Sequence, residues 1–424
     1  MKLFILSLSS QKKSSRKQHE YLSSLIGTTS TVSRGGNHSK LPITEINLND
    51  EVQQVEIDEL NEVEDLVGSP SLIYVLDRYT RQVFELSSNE SDRANVDDLS
   101  TSHIKWKVEK LQFGTEDTTA HLRVLKISTY TEHALFLLED MRTRETFLYG
   151  RGSNAYSRLS NDENIDLDQP VFSPHLQLHN NQSRVTHVGC CFSFSVCIVN
   201  DTDVHMTGQN WIDNSTGYHN WVNRAHVCPK PVKSLHCGNF HFIILLVDGS
   251  MCVAGSYSSG QLIMTNITPF QQIPTSWSFH AGVYAKLGTN CSLLTSMSNT
   301  YHFFGGPPFK VEGDDRRVKS PLVMDHHDSK EFPYDEAFLG REYGAFHFKK
   351  NHLLYILGNA NGISYNHIIR YSSLFSTQPH ICTLPMHIVF YLNPTQSAFH
   401  KKLLEKVYLE SQHTISDMLI ATQH

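Results

Sequence analysis

The sequence predicts an all-β chain built from seven copies of one hairpin unit. Three observations carry this: a segment that recurs along the chain, a glycine at a fixed distance after it, and apolar alternation inside it. Residues 188–198, 235–245 and 285–295 align without gaps, and Gly208, Gly255 and Gly305 follow their fourth positions (Cys191, Gly238, Gly288), each by 17 residues. The same template fits 65–75, with Gly68 fourth and Glu85 at the 17-residue mark, and 338–348, with Arg341 fourth and Gly358 at the mark. It fits 127–137 with Tyr130 fourth and Gly150 following 20 residues later, a longer hairpin. The seventh copy, 381–391, has Leu384 fourth and no later strand ending in glycine.

The ninth and eleventh positions supply the alternation. They are Ile73/Val75, Leu135/Leu137, Val196/Ile198, Ile243/Leu245, Leu293/Thr295, Phe346/Phe348 and Val389/Tyr391. A spacing of two between apolar side chains puts them on one face of a strand. Turn-forming pairs follow several of these strands, namely Asn200-Asp201, Asp248-Gly249 and Ser298-Asn299, so each unit reads as a hairpin.

The missing strand of the seventh unit has a candidate at the other end of the chain. Leu3-Phe4-Ile5-Leu6-Ser7 matches Leu354-Tyr355-Ile356-Leu357-Gly358 in character, position for position. Completing the last unit with the first strand gives seven four-stranded units in a closed ring, a seven-bladed β-propeller over residues 1–392. Closure hides strand edges that an open solenoid, the alternative, leaves bare.

Gly238-Asn-Phe-His241, then Asp248-Gly249, then Gly255-Ser-Tyr-Ser-Ser-Gly-Gln-Leu262 resembles the repeat of the regulator of chromosome condensation family. Tyr149-Gly150-Arg-Gly-Ser-Asn-Ala-Tyr156 and Leu357-Gly358-Asn-Ala-Asn-Gly362 resemble it too. The resemblance implies a seven-bladed propeller closed by its two terminal strands. The pattern is worn: glycine stands fourth at Gly68, Gly238 and Gly288, and histidine seventh at His133, His241 and His387. Tyr149 and Phe304 stand where the family carries an aromatic before the glycine.

Residues 8–62 are Ser/Thr/Lys-rich and then acidic, with no sustained period, and read as a long polar insertion; 87–120 and 309–335 are similar. After Asn393-Pro394, Phe399, Leu403, Leu404, Val407 and Tyr408 space as a helix, so 393–424 is expected to be a short helical tail. Its end, Ser416-Asp-Met-Leu-Ile420, faintly resembles the entry to a BTB domain. The apolar run Leu3–Leu8 is too short for a secretory signal. None of the eight cysteines forms a C-x-x-C pair, which fits a reducing compartment, cytoplasm or nucleus. Lys12, Lys13, Arg16 and Lys17 are either a nuclear-import signal or a solvated loop.

With 36 basic and 43 acidic residues the net charge is −7, which disfavours binding nucleic acid or chromatin by bulk charge. No apolar run nears the length of a membrane-spanning helix. Nucleotide-binding, zincin, serine-hydrolase and EF-hand motifs are missing. Asp325-His-His-Asp328, the group His226, Cys228, His236, Cys237 and His241, and the acidic run 162–168 are metal candidates that read better as loops and core positions. No metal, cofactor or catalytic residue is therefore assigned. Trp211, Tyr218 and Trp221 cluster directly after Gly208. They are candidate partner contacts on a loop, or rings folded inward between units. The expected function is a non-catalytic protein-interaction scaffold. The alternative implied by the resemblance is guanine-nucleotide exchange on a Ran-like small GTPase.

Overall fold

The computed structural model describes residues 1–7, 44–46, 52–69, 71–88, 106–113, 121–159, 167–172, 184–209, 218–255, 270–272, 282–288, 291–296, 301–305, 318–324, 335–340, 343–360, 363–372, 374–375, 378–385 and 387–393. Their strands form seven sheets. Sheet 1 is Val63–Gly68, Leu72–Asp77, Val83–Ser88 and Trp106–Lys110. Sheet 2 is Leu122–Tyr130, His133–Asp140, Thr146–Gly152 and Leu167–Phe172. Sheet 3 is Val185–Cys190, Phe194–Val199, Asp203–Gly208 and Tyr218–Val227. Sheet 4 is Val232–Cys237, His241–Leu246, Met251–Gly255 and Gln271–Gln272. Sheet 5 is Gly282–Leu287, Cys291–Ser296, Tyr301–Gly305 and Val318–Met324. Sheet 6 is Glu336–Leu339, Tyr343–Phe348, Leu353–Ala360 and Ile363–Arg370. Sheet 7 joins the two ends of the sequence in the order His380–Thr383, His387–Tyr391, Lys2–Ser7, Val52–Glu56.

All pairing is antiparallel except one parallel strand, Thr44–Ile46, laid against Ile363–Arg370. This strand and Val52–Glu56 both lie inside 8–62, where the sequence shows no period. Strands of three and five residues are too short to display one, and at Val52–Glu56 only Val55 is buried. The architecture is that of a β-propeller. The expected helix after Asn393-Pro394 lies outside the described residues, as does the turn at Ser298-Asn299.

The second strand of each sheet is buried on both faces because a sheet packs on either side of it. In His133–Asp140, Ala134, Phe136 and Leu138 meet Tyr74 and Leu76 of sheet 1, while Leu135 and Leu137 meet Val188 and Cys197 of sheet 3. Val196 and Ile198 then meet Phe242 and Ile244 of sheet 4. Cys291 and Leu293 of sheet 5 meet Leu339 and Phe346 of sheet 6. Ala345 and Ile356 of sheet 6 meet Ile388 and Phe390 of sheet 7. Leu3, Ile5 and Val389 of sheet 7 meet Ile73 and Val75 of sheet 1.

This packing corrects the repeat register in two copies. One hydrogen bond marks the turn before each second strand: Cys191 N to Phe194 O, Gly238 N to His241 O, Gly288 N to Cys291 O and Leu384 N to His387 O, at 2.8–2.9 Å. In sheets 1 and 6 the same bond runs from Ser69 to Leu72 and from Gly340 to Tyr343, so Ser69 and Gly340, not Gly68 and Arg341, hold the fourth position. A one-residue slip exchanges the faces. Ile73 and Phe346 accordingly turn toward the preceding sheet, whereas Leu135 and Val196 turn toward the following one. The strand-ending residue moves as well. Leu72 pairs with Ser87 rather than Glu85, and His133 pairs with Gly152 rather than Gly150. Ser7 pairs with His387, in the place that Gly208 takes opposite Phe194.

Candidate interaction rim

The ends of the sheets where the second strands begin form the upper rim. The residue opening each second strand reaches toward the next sheet. His133 Nε2 lies 3.1 Å from Ser195 Oγ, and His241 Nε2 lies 3.0 Å from Ser292 Oγ. The Tyr343 hydroxyl is 2.7 Å from Leu384 O and 2.9 Å from His387 O, and the Phe194 ring packs edge-on against Phe242. Spacing explains the G-x-x-H signature: a Cβ at Gly238 would sit 2.5 Å from the His241 ring. Burial pushes the His241 imidazole down to about 3. His133 is also held well below its ordinary value, by burial first and then by the charge of Arg158. Both rings are neutral at pH 7 and act as latches between sheets.

The third strand leaves the rim by passing over the carbonyl of that turn. Gly208 has φ +102° and Gly255 φ +113°, and a Cβ at Gly255 would lie 2.2 Å from Phe240 O. Only glycine tolerates both the dihedral and the approach. Backbone bonds tie neighbouring turns together, Phe192 N to Asn239 O at 2.8 Å and Asn239 N to Gly288 O at 3.3 Å.

Three aromatic rings run along this rim from sheet 2 to sheet 4. Tyr156, nearly half exposed, lies 6.4 Å from Phe192, and Phe192 lies 5.5 Å from Phe240; both phenylalanines are half-buried. Tyr156 is presented by a strained turn in which Tyr156 (φ +66°) and Ser157 (φ +56°) are both left-handed without being glycine. Arg158, fully buried, holds that turn. Its Nε donates to Ser153 O at 2.9 Å, Nη1 to Phe192 O and Nη2 to Glu132 Oε2 at 3.1 Å. Thr207 Oγ1 donates to Ser157 O from the next sheet at 2.9 Å, and Leu159 N donates to Asn154 Oδ1. Beside the row, Asn239 is buried and its Oδ1 has no partner among the described residues.

Of the three residues singled out in the sequence, Trp211 lies outside the described residues. Tyr218 and Trp221 belong to the strand Tyr218–Val227, with Tyr218 paired to Gly208, so the strand begins earlier than the expected loop allows. The connection carrying Trp211 leaves Gly208, at the same rim as the aromatic row. Sequence reasoning missed Phe192 and Phe240 because they fill turn positions that the repeat leaves variable. An aromatic inside a two-residue turn, twice in successive copies, was the available signal. Of the metal candidates, Asp325–Asp328 and most of 162–168 lie outside the described residues; in the third group His226 stacks on Phe270, His236 bonds Ser234 Oγ and His241 bonds Ser292. Among the described residues no group of three potential metal ligands converges.

No family model and no curated relative matches the chain. Its fold does match solved structures. Human WBSCR16 superimposes with a TM-score of 0.62 at 12% identity, over 93% of this chain and all of that one. Yeast RCC1 (Prp20), solved bound to Kap60, gives a TM-score of 0.45 at 12% identity over 67% of this chain and 83% of that one. The chain thus has a β-propeller fold like that of human WBSCR16, in a divergent sequence. No described helix is long and apolar enough to cross a membrane.

Proposed function

We propose that this chain is a non-catalytic protein-interaction scaffold whose partner docks on the upper rim, over Tyr156, Phe192 and Phe240. The observation that carries the reading is the aromatic row itself. Three partly exposed rings from three successive sheets are held in line by backbone strain and a buried arginine, and rigid aromatic surface is what interface anchors are made of. Trp211, Tyr218 and Trp221, which follow Gly208 in the sequence, are kept as further candidate contacts for the same partner. In this reading the seven sheets are the blades of one ring over 1–392, latched by the pairing of Leu3–Ser7 with His387–Tyr391, and 393–424 forms a tail beyond it. Support comes from the cores that link sheet 7 to both sheet 6 and sheet 1. Eight free cysteines suit the cytoplasm or nucleus.

The test is affinity capture with mass spectrometry, comparing the wild type with a Phe192→Ser, Phe240→Ser double variant and with Trp211→Ala, Trp221→Ala. The scaffold reading expects a protein captured by the wild type to fall at least about tenfold with the first variant. An identical capture profile from folded variants removes the upper rim as the docking surface. Release of a fluorescent GDP analogue from a panel of small GTPases is expected to show no acceleration. Acceleration of any one of them replaces the scaffold reading with nucleotide exchange.

A further inference from the structure

At the opposite, lower rim one buried carboxylate gathers three arginines. Glu139 is 2% exposed, and its oxygens accept from Arg123 Nε (2.8 Å) and Nη2, from Arg144 Nη1 (3.3 Å) and from Arg184 Nη2 (3.1 Å). Arg123 lies on the first strand of sheet 2, Arg144 on its hairpin and Arg184 directly before sheet 3. The backbone positions them: Arg123 pairs with Glu139 across the hairpin, while Arg144 N donates to Asp140 O, Arg184 N to Asn200 Oδ1 and Val185 N to Thr146 Oγ1, all at 2.8 Å. Burial would raise the Glu139 carboxyl, but Arg123 and Arg144 outweigh it and hold the group below its ordinary value.

The charges do not balance. Three guanidiniums face the one carboxylate of Glu139. The neighbouring Asp140 is paired by Arg142 at 3.7 Å, and Glu145, bonded to the neutral Thr143 hydroxyl, keeps its charge, so the cluster as a whole carries a surplus of one positive charge. Elsewhere on this rim arginine and glutamate match in number, Arg78 and Arg81 facing Glu62 and Glu64. Three guanidiniums carry about fifteen N–H donors, and Glu139 takes four hydrogen bonds from them. The side chains of Arg144 and Arg184 are 66% and 57% exposed, so donors remain on the solvent side. Guanidinium forks match phosphate oxygens, and a phosphomonoester carries about −1.5 to −2 charges at neutral pH.

We propose that Arg123, Arg144 and Arg184, oriented by Glu139, bind a phosphoserine on an extended segment of a protein partner. Glu139 is a positioning residue that lends the cluster its geometry and never meets the phosphate. The site stands independently of the aromatic rim.

The full chain would be applied to a degenerate array of phosphoserine peptides and to the matched unphosphorylated array. The expected result is a preference of at least about tenfold for phosphorylated members, abolished in an Arg144→Ala, Arg184→Ala variant that remains folded by circular dichroism. No preference in the wild type, or a preference that survives in the variant, overturns the proposal. An array in which glutamate replaces phosphoserine is expected to bind at the unphosphorylated level, and equal binding overturns the assignment to phosphate. Inorganic phosphate is expected to compete only at millimolar concentration. Competition as tight as the best peptide points to a small phosphorylated molecule and overturns the partner segment.

Discussion

The two rims of this propeller are built from different chemistry. On the lower rim the turns are short and self-contained. Asp77 Oδ1 accepts from Tyr79 N and Thr80 N, both at 2.8 Å, Arg81 N returns to Asp77 O, and Arg81 takes the left-handed conformation. Asp140, Arg142 and Arg144 repeat this arrangement in sheet 2. On the upper rim turn residues bond to the neighbouring sheet, and in sheets 2, 3 and 4 the third strand leaves through a left-handed glycine, Gly152, Gly208 or Gly255, with a long connection after it. The difference teaches where such a fold accommodates change. A turn closed by its own side chains leaves no room for insertion, whereas a strand already steered outward by glycine can carry a loop of any length.

Substitutions at the two rims put this contrast to the test. The largest effect is expected at Gly255 on the upper rim, where Gly255→Ala must relieve both the dihedral and the contact with Phe240 O; the loss is about 3 kcal/mol or more. Gly249→Ala, at a lower-rim hairpin with φ +83°, should cost only about 1 kcal/mol. Urea unfolding of the pair measures both, and equal losses would erase the distinction. Asp77→Ala strips a buried carboxylate from the backbone N–H groups of Asn61, Tyr79 and Thr80. A loss of about 2 kcal/mol is expected, and a negligible one would mean that the lower turns hold without their caps.

Acid should act on the upper rim first. His241 and His133 are neutral when folded and charge freely when unfolded, so the unfolded chain binds protons more tightly. For His241 the stabilisation is complete above the unfolded value near 6.5 and is lost as the pH falls toward the folded value of about 3, and His133 acts in the same direction. For His241 the loss between pH 7 and pH 5 is roughly 2 kcal/mol. His241→Gln should flatten the dependence of the melting temperature on pH over that window, and an unchanged slope would remove the latch from the account. Ser292→Ala, which leaves His241 Nε2 without its partner, is expected to cost about 1 kcal/mol. Smallest of all, Arg142→Ala breaks only an exposed pair with Asp140, and no measurable change in melting temperature is expected.

Much of this was written along the chain. Alternation in 188–198 and 235–245, the glycines at 208 and 255, and the turns at Asn200-Asp201 and Asp248-Gly249 are relations between residues a few positions apart, and sequence displays them directly. The same is true of Leu3–Ser7, whose likeness to Leu354–Gly358 reflects one environment met twice. The copies at 65–75 and 338–348 sit one residue out of the structural register, because alternation alone does not say which face meets which neighbour when both are buried.

Strand period and turn chemistry are local properties, and these the sequence by itself determined. Partnership was left to the tertiary structure: which serine satisfies His241, how Tyr156 comes beside Phe192 and Phe240, and why three arginines share Glu139. Each of these joins groups whose meeting depends on how one sheet twists against the next. No pattern within a single repeat records that angle.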